Sequence, residues 1–303
     1  YLQMGLALAA HGLRAWTVGY HPTCRAEALP LLPDTRDEVM DRYFKNTGAC
    51  GLQAMRATAA TLITIDYFNE TDFVRKMRAA SLLTPFFALL CDNVPVYQAS
   101  RNSVCTMRTR IWQDVDRDRC GVVPHLMDAD FGFARYAENV LTKPQLVAWR
   151  TGRVKAVGSK TAPDLYAAHI SQREAAHILS MFFYDVRLKS RIELRTADSM
   201  PPQYIAAYAQ LVKSVFGSPA ALQNILRHYA GATTLDITTA KMAVCKDGFN
   251  ALVYGRPVSS ELAWLLMQAR SRTPSQEERA LLDPFMKLVT ARKTIRELES
   301  DHE

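Results

Sequence analysis

The spacing of apolar positions changes along this chain and separates a mixed front part from a helical rear part. The run from Leu2 to His11 predicts a core helix stopped by Gly12, and Ala15 to Tyr20 predicts a short strand before His21-Pro22 breaks the pattern. Thr35-x-x-Glu38 has the form of a capping box, with Val39, Met40, Tyr43 and Phe44 as the buried stripe of the helix behind it. From Thr61 to Tyr67 threonines alternate with apolar residues, which predicts a strand with one polar face. Thr71 is placed to cap a helix through Leu83, and Pro85 should end or kink it before Phe86 to Leu90 continue the core.

Alternation returns at Met107-Arg108-Thr109-Arg110-Ile111-Trp112, read as a basic strand that runs into a turn dense in charge, Gln113 to Gly121. Gln145 to Trp149 and Val154 to Val157 predict a hairpin, and Ser171-x-x-Glu174 caps a helix running toward Phe182. In the strand predicted from Arg191 to Asp198, Arg191, Glu193 and Arg195 share one face while Ile192 and Leu194 share the other. Beyond Pro202 the periods are helical: Tyr204 to Phe216, Pro219 to His228, Ser260 to Gln268 and Ser275 to Leu298. There is no internal repeat or low-complexity linker, so residues 1–303 read as one domain whose portion 202–303 is helical. Segregated strands and helices argue an α+β class with an antiparallel sheet.

Hydrophobic residues make up 49% and charged ones 22%, a globular composition. The net charge of +7 suits anionic small molecules such as nucleotides and carboxylates. Basic runs interleaved with aromatics are missing, so no nucleic-acid partner is expected. The six cysteines form no Cys-x-x-Cys pair and no zinc-spaced cluster, which points to free thiols in the cytoplasm. No apolar run reaches about eighteen residues, and the apolar start lacks the basic region of a leader, so no membrane association is expected. His21 and His125 lie beside prolines without a catalytic partner in the pattern. Asp114, Asp116 and Asp118 lack the glycine and closing glutamate of a calcium loop and read as a turn paired with Arg117 and Arg119.

A strand face holding one carboxylate between two guanidiniums can take a metal and a phosphate, although a surface ion-pair ladder has the same pattern. Four blocks in order bear on the choice: Ile65 to Lys76, Leu83-Thr84-Pro85, Met107 to Trp112 with Asp116 to Gly121, and Glu193-Leu194-Arg195-Thr196-Ala197-Asp198. Together they resemble the glutamate–cysteine ligases of the plant-like and related bacterial branch.

The resemblance implies a glutamine-synthetase-like catalytic fold, a curved antiparallel sheet with helices packed on its outer face. It implies an ATP- and Mg2+-dependent ligase that joins L-glutamate to L-cysteine through a γ-glutamyl phosphate, the first step of glutathione biosynthesis. Glu193 then resembles the magnesium ligand and Arg195 the arginine on the transferring phosphate. Arg108 matches the arginine near the glutamate carboxylate, and Arg56 matches an arginine of bacterial relatives with a possible substrate-carboxylate role; Arg110 is given no role. Asp198 is read as structural. In two respects the chain departs from the pattern. Leu62 stands where relatives place a polar side chain, and the glutamate-bearing strands that complete the family's metal cluster are expected before residue 1. Two alternatives stay open: a related ligase with a different amine acceptor, and a non-catalytic or regulatory homologue lacking the full metal cluster. The oligomeric state is left unassigned.

Overall fold

The computed structural model describes residues 2–150, 153–166 and 169–299. Its central sheet has three short strands, β1 (Ile63–Ile65), β2 (Val186–Leu188) and β3 (Ile192–Leu194). β3 lies in the middle and pairs antiparallel with both neighbours. Three helices frame it: α1 (Glu70–Leu90), α2 (Met107–Gln113) and α3 (Thr234–Asp247). The class is α+β, as the segregated periods predict. Among the described residues the other pairings are two-stranded, and one of them, Cys120–Gly121 with Phe183–Tyr184, is parallel.

The apolar face of the sheet rests on α1, and α1 in turn packs against α3 and the helix Pro219–His228. Ile192, Leu194 and Val186 are buried at this junction. Each such side chain contributes about 1.5–3 kcal/mol when fully removed from water. α1 is longer than the sequence predicts at both ends. Asn69, not Thr71, is its N-cap, its Oδ1 accepting from Asp72 N at 2.9 Å. Pro85 neither ends it nor is exposed. The Ser81 carbonyl, which the missing Pro85 N–H leaves free, accepts instead from Thr84 Oγ1 at 2.7 Å.

Four sequence expectations are corrected. Met107 to Trp112 is helix rather than strand: Met107 and Ile111 fall one turn apart and are both buried, so the helical period wins over the alternation of Arg108 and Arg110. Residues Leu2–Ala10 are helical but lie on the surface, with Met4 and Leu6 exposed, and the strand expected after them is reduced to a single bridge from Tyr20 to Thr58. Asp34 rather than Thr35 caps the helix Thr35–Phe44, accepting from Arg36 N at 2.8 Å. The long helix expected from Ser275 is three short ones, Gln276–Ala280, Asp283–Ala291 and Ile295–Glu299. Pro284 has no N–H to carry the first across, and Arg292 in the left-handed region (φ 53°) closes the second.

The hairpin is present as Val147–Arg150 with Arg153–Ala156, and Ser171 and Glu174 form the reciprocal capping box. α3 was not anticipated. Its inward positions include Lys241 beside Ile237, Ala240 and Val244, so its apolar stripe is interrupted.

Candidate active site

The polar face of the sheet gathers charge because side chains alternate along β2 and β3. Arg187 stands directly across from Glu193, and Thr64 stands across from it on the other side. Glu193 Oε2 accepts from Arg187 Nε and Nη2 at 2.8 and 2.6 Å and lies 3.5 Å from Arg195 Nη1, while Oε1 lies 3.1 Å from Lys189 Nζ. Burial alone would raise the Glu193 pKa, but Arg187 and Lys189 outweigh it and hold the carboxyl below its ordinary value.

Arg195 is the strained member of this group. Burial, and then the neighbouring guanidiniums of Arg187 and Arg108, lower its pKa from 12.5 to about 9. Its guanidinium lies over Trp112 and Phe183, 6.0 Å from each ring centroid. Its backbone carbonyl accepts from Arg108 Nε at 3.0 Å, which ties α2 to the end of β3. Arg108 is buried, lies 5.7 Å over Trp112, and has its pKa lowered by desolvation.

Arg108 and Arg195 thus line one small cavity with Thr109, Trp112, Phe183 and Asp185. Its volume of about 10 Å³ is the space of roughly one water molecule. Arg108 Nη1, Thr109 Oγ1 and Trp112 Nε1 are buried around it without a hydrogen-bond partner. Asp185, the one carboxylate of the cavity, is neutralised by Lys241 of α3. Donors in excess of acceptors make this a place for one anionic oxygen, such as an oxygen of a carboxylate or phosphoryl group that lies at its mouth.

Magnesium is a poorer match. Both Glu193 oxygens already face cations, and among the described residues no three His, Cys, Asp or Glu side chains converge. Magnesium prefers about six oxygen ligands in an octahedron. The described residues do not compose that shell, so no step below passes through a metal.

Of the residues singled out in the sequence, Glu193, Arg195 and Arg108 are brought together and Arg56 is not. Arg56 forks onto Asp41 at 3.0 and 2.9 Å and donates to Leu29 O, a tie between helices outside the cluster. Arg191 shares the sheet face but is exposed and pairs with Asp66 at 2.9 Å, so the ion-pair ladder describes that end of the strand. Leu62 is 49% exposed and lies beside Thr64 at the head of β1. No slip of register turns it inward, since Thr64 is fixed opposite Glu193. Arg110 lies on the other side of α2 from Arg108 because the segment is helical. The turn after α2 pairs with itself as expected in part: Asp116 pairs with buried Arg119 at 3.1 Å, while Asp118 reaches Lys143 instead. Arg187 and Lys189 were overlooked. Their signal is the odd-numbered charge at 187, 189, 191, 193 and 195, a single period-two pattern running through a hairpin.

The family model for glutamate-cysteine ligase family 2 matches residues 3–298. The chain belongs to that family. Chloroplastic glutamate–cysteine ligases of Brassica juncea and Arabidopsis thaliana are each 30% identical to it over 217 residues, covering 69% of this chain and 42% of theirs. The chloroplastic enzyme of Medicago truncatula is 29% identical and has 43% of its length covered. The chain therefore spans less than half the length of these curated relatives.

Within this family member Asp198 is buried below the cluster. Its Oδ2 accepts from Asn93 N at 2.8 Å and its Oδ1 has no partner. Gly19 approaches so closely that a Cβ there would meet the carboxyl carbon at 2.3 Å. Burial, reinforced by Asp92, pushes the Asp198 pKa from 3.8 up to about 8. A carboxyl raised on folding stabilises the native state below its unfolded pKa, and that stability is lost as pH climbs through the folded value. Asp198→Asn mimics the protonated acid. Thermal unfolding between pH 5 and pH 8.5 should therefore fall less steeply with pH in the variant than in the parent, and parallel curves would remove Asp198 from the titration.

Proposed function

We propose that this family member is the part of an ATP-dependent glutamate–cysteine ligase that grips the anionic partners of the reaction, with the glutamine-synthetase-like fold implied by the family. The observation that carries the reading is the convergence of Arg187, Lys189 and Arg195 on the Glu193 carboxylate, with Arg108 tied beside them through the Arg195 carbonyl. Joining a carboxylate to an amine at neutral pH requires activation of the acyl group, and ATP supplies it as an acyl phosphate. Transfer of the phosphoryl group between anions asks for fixed guanidiniums more than for acid–base groups.

Arg195 meets the transferring phosphoryl group, a role supported by the neighbouring guanidiniums that lower its pKa and by the Trp112 and Phe183 rings 6.0 Å from its guanidinium. Arg108, with a free Nη1 and Trp112 Nε1 beside it, takes the carboxylate of L-glutamate. Cysteine is the proposed amine acceptor, as in the names of the relatives. Glu193 holds the arginines in place, and magnesium, if required, draws its remaining ligands from outside the described residues.

The test is ATP hydrolysis by the complete polypeptide in the presence of L-glutamate, with and without L-cysteine. Stimulation by cysteine supports the ligase; stimulation only by another amine shifts the acceptor; binding of ATP without hydrolysis favours the regulatory alternative. Arg108→Lys should raise the KM for glutamate roughly tenfold or more with a smaller change in kcat, because a point charge cannot reproduce the fork. An unaltered glutamate KM would remove Arg108 from the carboxylate.

A further inference from the structure

α2 has a second occupied side. At about 100° per residue, Arg108, Thr109 and Trp112 fall on the side facing the small cavity, and Met107, Arg110, Ile111 and Asp114 on the opposite one. That opposite side forms one wall of a basin of about 410 Å³, with Tyr97, Arg101 and Cys50 among its other walls. The volume is that of a small-molecule pocket and not of a single water.

Two features of the basin are chemical. Arg101 and Arg110 both line it and are exposed, and among the described residues neither guanidinium forms a hydrogen bond or ion pair. The one acidic lining residue, Asp114, uses Oδ1 weakly on Ala49 N at 3.4 Å and leaves the two guanidiniums in excess. Half-buried Tyr97 supplies an apolar surface beside the charges, with Met107 and Ile111 buried at the floor.

The walls are also held in place before any ligand arrives. Asn102 donates to Val94 O and Val104 O and accepts from Val104 N, and its carbonyl accepts from Arg296 Nη1 at 2.7 Å. The hairpin that carries Tyr97 and Arg101 turns on Gln98 and Ala99, both at positive φ (51° and 63°) without being glycine. Gln98 Oε1 holds that turn by accepting from Tyr20 O–H and Ala26 N. Backbone held in a sparsely populated conformation persists where the surroundings over-determine it. A preformed wall lowers the ordering cost of binding.

We propose that this basin is a second anion site, separate from the cluster around Glu193, which takes a small organic phosphate or carboxylate with an aromatic or apolar body. The anionic head lies between Arg101 and Arg110, and the body lies on Tyr97, Met107 and Ile111. Because the site shares α2 with Arg108, occupancy loads the reverse side of the helix that carries the substrate-facing arginine. The binding itself does not depend on the ligase reading.

Isothermal titration of the full chain with phenyl phosphate tests it, with inorganic phosphate as the head group alone. Phenyl phosphate should bind more tightly than inorganic phosphate, and Arg101→Ala and Arg110→Ala should each weaken it at least tenfold. Arg110→Lys should recover part of the loss. Circular dichroism of these surface variants confirms that they fold. Arg195→Ala serves as the control for binding at the other cluster and should leave in place the binding event that depends on Arg101 and Arg110. Three results overturn the proposal: no binding to the parent at millimolar concentration, equal affinity in the parent and both alanine variants, or loss of binding in Arg195→Ala alone. A ligase that fails its own assay but shows the expected titrations leaves the site standing.

Discussion

Glu193→Gln is expected to destabilise the fold by about 3–5 kcal/mol, the usual cost of removing one partner from a buried ion pair. Among the described residues Glu193 is the one acid paired with Arg187, Lys189 and Arg195, and its side chain is 13% exposed against 6% for Arg187. Glutamine keeps the volume and removes the charge. Three cations then face one another with no counterion, and water reaches them poorly. Equilibrium unfolding in urea measures the loss directly, and a change below about 1 kcal/mol would show the cluster to be screened. A second variant separates charge from packing. Arg187→Met combined with Glu193→Gln removes both partners of the tightest pair, so it should be less destabilised than the sum of the single changes. Inorganic phosphate or ATP should also protect the Glu193→Gln protein more than the parent, because an anion replaces the missing charge.

The same residue shows how far the sequence could be read. Period two across Arg191 to Arg195 places Glu193 and Arg195 on one face, and β3 realises that placement with Ile192 and Leu194 buried behind it. The pattern cannot show what fills the space around Glu193. Arg187 and Lys189 arrive across a hairpin, and that pairing depends on register, which is set by the turn at Ser190 and by the buried face together. Met107 to Trp112 departs from the expected strand for a related reason. Seven residues hold fewer than two complete helical turns, and Arg108 and Arg110 mimic alternation while Met107 and Ile111 carry the true period. Arg108 reaches the site either way because the end of α2 is tied to β3 through the Arg195 carbonyl. Arg56 had no such tie to be read, and its partner Asp41 lies on a different helix, where burial makes the fork structural. α3 was hidden because Lys241 points inward toward Asp185, a buried charge pair that no apolar pattern announces.

Arg195→Ala should cost roughly a thousandfold or more in kcat for ATP- and glutamate-dependent ligation, while the protein remains folded. Arg195 is buried against two other guanidiniums, and burial together with that repulsion lowers its pKa, so its charge is unfavourable before an anion arrives. A transferring phosphoryl group carries negative charge on its oxygens, so the repulsion is relieved most when that charge lies beside Arg195. Relief confined to that stage lowers the barrier rather than tightening ground-state binding. The variant should therefore lose kcat far more than it raises KM for ATP. Arg195→Lys should recover little, because an ammonium cannot span Trp112 and Phe183 as a planar guanidinium does. A variant with near-parent kcat would remove Arg195 from the reacting phosphate.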